Sequence, residues 1–260
     1  MSQWVDQPLT RDLIVLGVVV FCIVAVLIVR RIAPPEALKE HNDFVGFAYS
    51  FVGVIYGVYL AFAAVIVWQH FDNAGAIVSR EAEEVNELWH DAGGLPDGAA
   101  TKALWREYAQ TVATQDWKVM EENDGAPMPS ARVWRTLWRR YTSMRIAAGD
   151  VSGTAFLAES LRVLNELAAT RRERLNADAA GVPPMMWTFV LAGGAGVILM
   201  TLFIGVRHRL LQIAVTAFVA ALLTYAILIV AALADPFGGD MSVKPDAFIQ
   251  VVKVMDAEGR

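Results

Sequence analysis

Six side chains with metal-ligating chemistry crowd one short stretch of the chain: Glu81, Glu83, Glu84, Glu87, His90 and Asp91. Carboxylates and imidazole suit divalent cations, but a site needs several of them converging on one point. On a helix only Glu83, Glu87, His90 and Asp91 come within reach of one another. No second carboxylate-rich segment completes the set, so the expectation is no metal and no cofactor. His41, His70, His90 and His208 are scattered without zinc spacing. The single Cys22 sits in an apolar run, which leaves neither a disulfide framework nor a cysteine metal site within one chain. Arg132, Arg135 and Arg139 share a helix face, either as a solvated, salt-bridged surface or as an attractor of anions and acidic lipid headgroups. Trp105, Trp117, Trp134 and Trp138 are read as bundle core rather than as a ligand-stacking cage, because large aromatics supply most of a small bundle's burial. No nucleophile stands with a base, and no glycine loop cradles phosphate, so the chain is not read as an enzyme.

The elements that must carry these residues are set by composition. The 260 residues are 56% hydrophobic and 19% charged, with a mean hydropathy of +0.42, against roughly 45–50% apolar in a soluble domain. The excess points to lipid. A net charge of -5 argues against a nucleic-acid partner, which needs a basic field to neutralise phosphates. Four stretches are long enough to cross a bilayer: residues 13 to 29, 44 to 68, 185 to 206 and 210 to 234. The first has Asp12 before it, Arg30 and Arg31 after it and no small-residue cleavage site, so it is a permanent span rather than a signal peptide.

The fold class expected is all-α: a multi-pass membrane protein with four transmembrane helices and a helical soluble insertion between the second and third spans. The spans pair into two hairpins, because the linkers 30 to 43 and 207 to 209 are short. The organisation reads as residues 1–43, first span and linker; 44–74, second span; 75–183, soluble helical domain; 184–234, third and fourth spans; and 235–260, tail. Breaks at 93–96, 125–127, 149–153 and 181–184 cut the soluble part into four helix-length pieces. No proline interrupts residues 44 to 89, which predicts one helix leaving the membrane unbroken, with Gly75 the expected kink. Val133, Leu137 and Tyr141, and Leu161, Leu164 and Leu167, mark core faces at helical spacing.

Two motifs then suggest a family. The second span ends GVYLAFAAVIVWQHFDNA, residues 57–74, in which Gly57-x-Tyr59 precedes Trp68 and the triplet Phe71-Asp72-Asn73. The fourth span exits through Asp235-Pro236-Phe237-Gly238. In this order the motifs resemble the bacterial bestrophin-like family of unknown function, related to the bestrophin anion channels, whose corresponding exit is Asn-Pro-Phe-Gly. The likeness covers the spans and their exits, about half of the chain.

The resemblance implies a homo-oligomer of five copies in a lipid bilayer, passing small anions such as chloride along an axis that the second spans line. It implies a bacterial inner membrane, with the large helical domain and both termini cytoplasmic. Loop charge does not decide orientation, since Arg30, Arg31, Lys39, Arg207 and Arg209 face Arg11, Arg80, Arg171, Arg172, Arg174 and Lys244 on the other side. Carried across on Gly57-x-Tyr59 and Asn73, the pore neck falls on Ser50, Val54 and Val58, with Phe47, Phe51 and Ile55 on the adjacent face. The other reading has Ser50, Gly53 and Gly57 as small residues that let helices pack closely. Calcium-regulated bestrophins follow Pro-Phe-Gly with an acidic run. Here Gly239 and Asp240 lead into Met241-Ser242-Val243-Lys244, and Asp235 with Asp240 supplies too few of the six to eight oxygens calcium takes. The segment is read as a helix terminator turning the tail onto the bundle, anchored by Phe237 and Phe248. The alternative to a channel is a non-conducting membrane scaffold or sensor that binds a partner through its helical domain.

Overall fold

The computed structural model describes residues 8–122, 126–179, 182–239 and 241–259, and it is entirely helical there, with no strand among the described residues. The expected breaks at Gly125 and Gly181 and the carboxylate of Asp240 lie outside the described residues. Among the described residues, four helical stretches are long and apolar enough to span a membrane: Leu9–Ile32, a part of Asn42–Gly94, a part of Val151–Leu202, and Arg209–Leu233.

The chain divides into two compact units. The first comprises α1 (Pro8–Ile32), the short α2 (Pro35–Lys39), the opening half of α3 (Asn42–Asp91), α8 (Pro184–Leu202) and α9 (Arg209–Leu233). Prolines punctuate it as their fixed φ and missing N–H require: Pro34 precedes α2, and Pro184 opens α8. The third span is shorter than residues 185 to 206. The helix stops at Leu202 because the loop beyond is pinned: Asn42 Nδ2 donates to the Gly205 carbonyl at 3.0 Å, and Gly205 N–H donates to Asn42 Oδ1 at 2.8 Å. A side chain on Gly205 would strike the backbone of Lys39 and Pro35 at 2.7 and 2.8 Å, so only glycine fits. Arg30 Nη1 completes the clamp by donating to the Val206 carbonyl at 2.8 Å and to Gln212 Oε1 at 2.6 Å.

Within this unit α1 packs on α9, and α8 on α9 and α1. Helix α3 meets α8 through two tyrosine rings, of which Tyr56 is the inserted one. Tyr56 is buried, its hydroxyl donates to the Val190 carbonyl at 2.9 Å, and its ring fills the space a Cβ on Gly193 or Gly194 would need. The Tyr59 ring meets that of Phe189 at a 50° tilt, with ring centroids 4.1 Å apart. Close approach through small residues is how helices associate without a hydrophobic force between them. The residues that provide it are Gly193 and Gly194. Gly53 and Gly57 have open space beside them, so the close-packing role expected of them is not used inside one copy.

The second unit holds α3 from His70 onward, α4 (Gly98–Thr111), a five-residue π turn (Val112–Asp116), α5 (Trp117–Glu122), α6 (Ala131–Ser143), α7 (Val151–Ala179) and α10 (Asp246–Glu258). Helix α3 runs as one element from Asn42 to Asp91, and its helical bonding continues through Gly75, whose carbonyl accepts from the Ser79 hydroxyl. The core gathers Val78, Val85, Leu88, Trp105, Tyr108, Val133, Leu137, Tyr141, Leu164 and Leu167. Trp105 and Trp117 lie in it as expected. Trp134 and Trp138 do not: both are only partly buried, because they stand on the rim of α6, one turn apart and beside the core-facing Val133 and Leu137.

Candidate functional site

The face of α3 opposite Tyr56 is the one with functional potential. At about 100° per residue, Val54 points roughly 160° away from Tyr56, and Ser50 and Val58 lie about 40° to either side of it. The structure leaves this face bare: Val54 is 67% and Val58 53% exposed, and Ser50 is exposed with its hydroxyl turned back to the Gly46 carbonyl at 2.9 Å. Phe47, Phe51 and Ile55 on the adjacent face are exposed as well. One copy therefore buries Tyr56, Ala63 and Val67 and presents two neighbouring apolar stripes outward. A row of small apolar side chains on a straight helix can form a dewetting constriction when copies surround an axis.

The exit of the second span and the segment after the fourth-span turn converge in part. Phe71, Asp72, Gly75 and Ser79 line a cleft of about 410 Å³ together with Val243, Lys244, Asp246 and Ala247. Trp68 and Asn73 are exposed and do not line it. After Asp235, Pro236 turns the chain and its carbonyl accepts from Val243 N–H at 2.8 Å. Phe237 and Phe248 are both buried, their ring centroids 5.9 and 6.2 Å from that of Trp117, and Trp117 Nε1 donates to the Val243 carbonyl at 3.1 Å. Gly238 sits between these anchors in sequence, and Gly239 takes a positive φ of 76°.

The acidic stretch of α3 disperses rather than converging. Glu87 faces Arg162 at 3.9 Å, His90 faces Glu258 at 3.6 Å, Asp91 accepts from Ser160 at 3.2 Å, and Glu83 is exposed. Glu81 instead turns inward to a buried cluster that sequence reasoning missed. Arg174 is fully buried, with Nε donating to Glu81 Oε2 at 2.6 Å and Nη2 reaching Asp116 Oδ2 at 3.4 Å. Tyr108 donates to Glu81 Oε1 at 2.9 Å, and Asp116 accepts from Ser130 N–H at 2.9 Å. The π turn places Asp116 in this interior, a common use of such bulges. Burial works against the Arg174 charge, and Glu81, Tyr108 and Asp116 more than offset it, so its pKa is raised. Burial, followed by the Glu81 charge, pushes Tyr108 well up. Such a cluster ties α3, α4, the π turn, α6 and α7 into one body and offers no reactive group to solvent.

Beside it, Glu84 is the perturbed acid. Burial pushes its carboxyl from 4.5 up to about 7, against the hydrogen bond from Thr170 Oγ1 at 2.9 Å, while Glu84 Oε2 is buried with no partner.

The sequence signature of the Bestrophin-like domain matches residues 16–248. The chain belongs to the bestrophin-like family. The bestrophin-like fold extends over nearly its whole length. A solved variant of a bacterial bestrophin homologue from Klebsiella pneumoniae superposes with a TM-score of 0.69 at 14% identity, covering 95% of this chain and 99% of that one. A second variant of that homologue gives 0.69 at 13% identity, with the same coverage. A further solved membrane protein gives 0.68 at 13% identity over 95% and 99% of the two chains. The chain matches none of the curated proteins by sequence. At these identities the structures establish the fold, and the roles of individual residues rest on the geometry above.

Proposed function

We propose that this bestrophin-like chain is a subunit of an oligomeric, anion-permeable channel of the bacterial inner membrane. The observation that carries the reading is the exposed face of α3, where Ser50, Val54 and Val58 stand on the side away from Tyr56 and remain open in one copy. A side chain so placed in a membrane meets lipid, another copy or an axial path. A single four-span unit encloses no path, so permeation requires copies around an axis, five by the bestrophin likeness. Ser50 then offers a polar ring, and Val54 and Val58 offer apolar rings that set the constriction. Flow is passive, selected by pore width, apolar gating and ring electrostatics. The helical unit of residues 70–180 stands as the soluble insertion between the second and third spans, on the cytoplasmic side with both termini.

Mass measurement of the detergent-solubilised chain tests the assembly, and a pentamer is expected. A strict monomer would refute the channel. Anion flux in liposomes tests the constriction. Val54→Ala widens it and raises flux while leaving the unfolding temperature of the copy nearly unchanged, because Val54 is 67% exposed within its own copy. A loss of stability on the order of 1–3 kcal/mol with unaltered flux would assign Val54 to a helix contact instead.

A further inference from the structure

We propose that the open groove between α6 and α7 is a binding site for a phosphate-bearing anion. The inference concerns the helical unit alone and does not depend on whether the chain conducts. The groove, about 860 Å³, is lined by Trp134, Arg135, Trp138 and Arg139 of α6 and by Asn165, Ala168, Arg171 and Arg172 of α7. Four guanidinium groups meet there without one carboxylate in the lining. Six other arginines of the same unit are paired: Arg80 with Glu173, Arg106 with Asp256, Arg132 with Glu107, Arg140 with Asp97, Arg162 with Glu159 and Glu166, and Arg174 with Glu81; Arg145 stands alone and exposed among the described residues, away from the groove lining. The acids that flank the groove on α7, Glu166 and Glu173, are thus engaged by Arg162 and Arg80 on other faces. The four groove arginines have no acidic partner among the described residues. Their contacts are backbone carbonyls and a hydroxyl: Arg139 Nε to the Arg135 carbonyl at 3.3 Å, Arg172 Nε to the Ala168 carbonyl at 3.1 Å, and Arg171 Nη2 to Ser130 Oγ at 3.4 Å.

A second observation points the same way. Arg171 Nε is buried and makes no hydrogen bond, so the hydrogen-bonding capacity of this guanidinium is not met among the described residues. The Arg171 guanidinium is held 5.7 Å from the centre of the Trp134 ring, and Trp134 lies 5.7 Å from Trp138. The groove therefore has a fixed indole wall beside a cluster of charged forks. A guanidinium presents parallel N–H donors that match two oxygens of a phosphate. A phosphomonoester carries roughly −1.5 to −2 charge and three acceptor oxygens, which answers four cations better than a carboxylate does. The indoles and the size of the groove leave room for an apolar or planar body attached to the phosphate. A lipid headgroup such as a phosphatidic acid and a soluble phosphate compound share this chemistry.

The test uses the full chain in detergent and measures binding of two probes, inorganic pyrophosphate and short-chain phosphatidic acid, with short-chain phosphatidylcholine as the zwitterionic control of zero net charge. At least one phosphate probe should bind, more weakly as salt rises, while phosphatidylcholine does not. The double variant Arg135→Gln/Arg172→Gln alters two exposed side chains and should weaken binding by roughly tenfold or more, with its unfolding temperature unchanged. Arg162→Gln, which removes an arginine outside the groove, should bind as the wild type does. Binding of pyrophosphate assigns a soluble phosphate ligand, and binding of phosphatidic acid alone assigns a lipid headgroup; either supports the site. No binding of either probe, or equal binding by the double variant, overturns it.

Discussion

Glu84 should make the stability of the helical unit fall as pH rises from about 4.5 to about 7, and Glu84→Gln should abolish that fall. Its Oε1 accepts from Thr170, its Oε2 is buried and unpartnered, and burial is the largest reason its carboxyl titrates at about 7 instead of 4.5. The Glu81 and Glu166 charges add to the shift, and Arg80 opposes it. The folded state binds the proton more tightly than the unfolded state. Between 4.5 and about 7, stability is therefore lost as pH rises, and the whole penalty is present above about 7. At about 1.36 kcal/mol per pH unit the gap corresponds to roughly 3 kcal/mol, of which about 2 kcal/mol survives screening by the water that reaches a partly exposed carboxyl. For a chain of this size that is a fall in Tm of roughly 4–8 °C. Thermal unfolding of the detergent-solubilised chain, followed by tryptophan fluorescence from about pH 5 to about pH 8, gives the curve. The informative quantity is the wild-type curve minus the Glu84→Gln curve, because titration of other groups cancels. A difference that does not change across this range would refute the assignment of a buried, proton-binding Glu84.

Removing other buried groups has equally specific consequences. Phe237→Ala deletes a buried ring that packs edge-on to Trp117, so stability should drop by about 3–5 kcal/mol. Amide hydrogen exchange should rise across residues 236–250 whether or not calcium is present; protection that appears only with calcium would show that the turn is a cation site. Arg174→Met leaves Glu81 and Asp116 buried without their cation, and should cost about 3–5 kcal/mol. The double variant Arg174→Met/Glu81→Gln should recover a large part of that loss, and a chevron or denaturant series that shows the two costs simply adding would argue against a coupled pair.

Much of this fold is written locally. The spans announce themselves as apolar runs, the prolines at positions 34, 35, 183 and 184 mark where helices restart, and the proline-free stretch to Trp89 foretells the long α3. What depends on distant partners was hidden. Glu81 looked like one more acid of a charged run, because its ion pair to Arg174 joins residues 93 positions apart. The Val-Ala-Thr-Gln-Asp sequence of the π turn is ordinary helix composition, and nothing in it shows that Asp116 must turn inward. Trp134 and Trp138 obey the spacing expected of core residues. Periodicity gives the direction of a face and not its depth, and these two stand at the edge of theirs. Helix α10 has a local signal of its own: Phe248, Val251, Val252 and Met255 recur at helical spacing within the segment expected to be a tail. The neck was legible only as a choice between stripes. Ser50, Val54 and Val58 share one stripe, Phe47, Phe51 and Ile55 another, and both are open in a single copy, so nothing within one copy chooses between them.

That choice is open to direct measurement. Cys22, the one native thiol, is buried on α1, so a cysteine introduced on α3 can be labelled selectively. The decisive experiment is Val54→Cys in a Cys22→Ala background, reconstituted in liposomes and treated with a charged, water-soluble methanethiosulfonate during an anion-flux assay. If the exposed face of α3 lines an axial anion path, flux is present before treatment and is blocked or sharply altered afterwards, and a reducing agent restores it. Absence of flux from the untreated protein, or flux that persists unchanged after Val54→Cys is fully modified, would contradict the account.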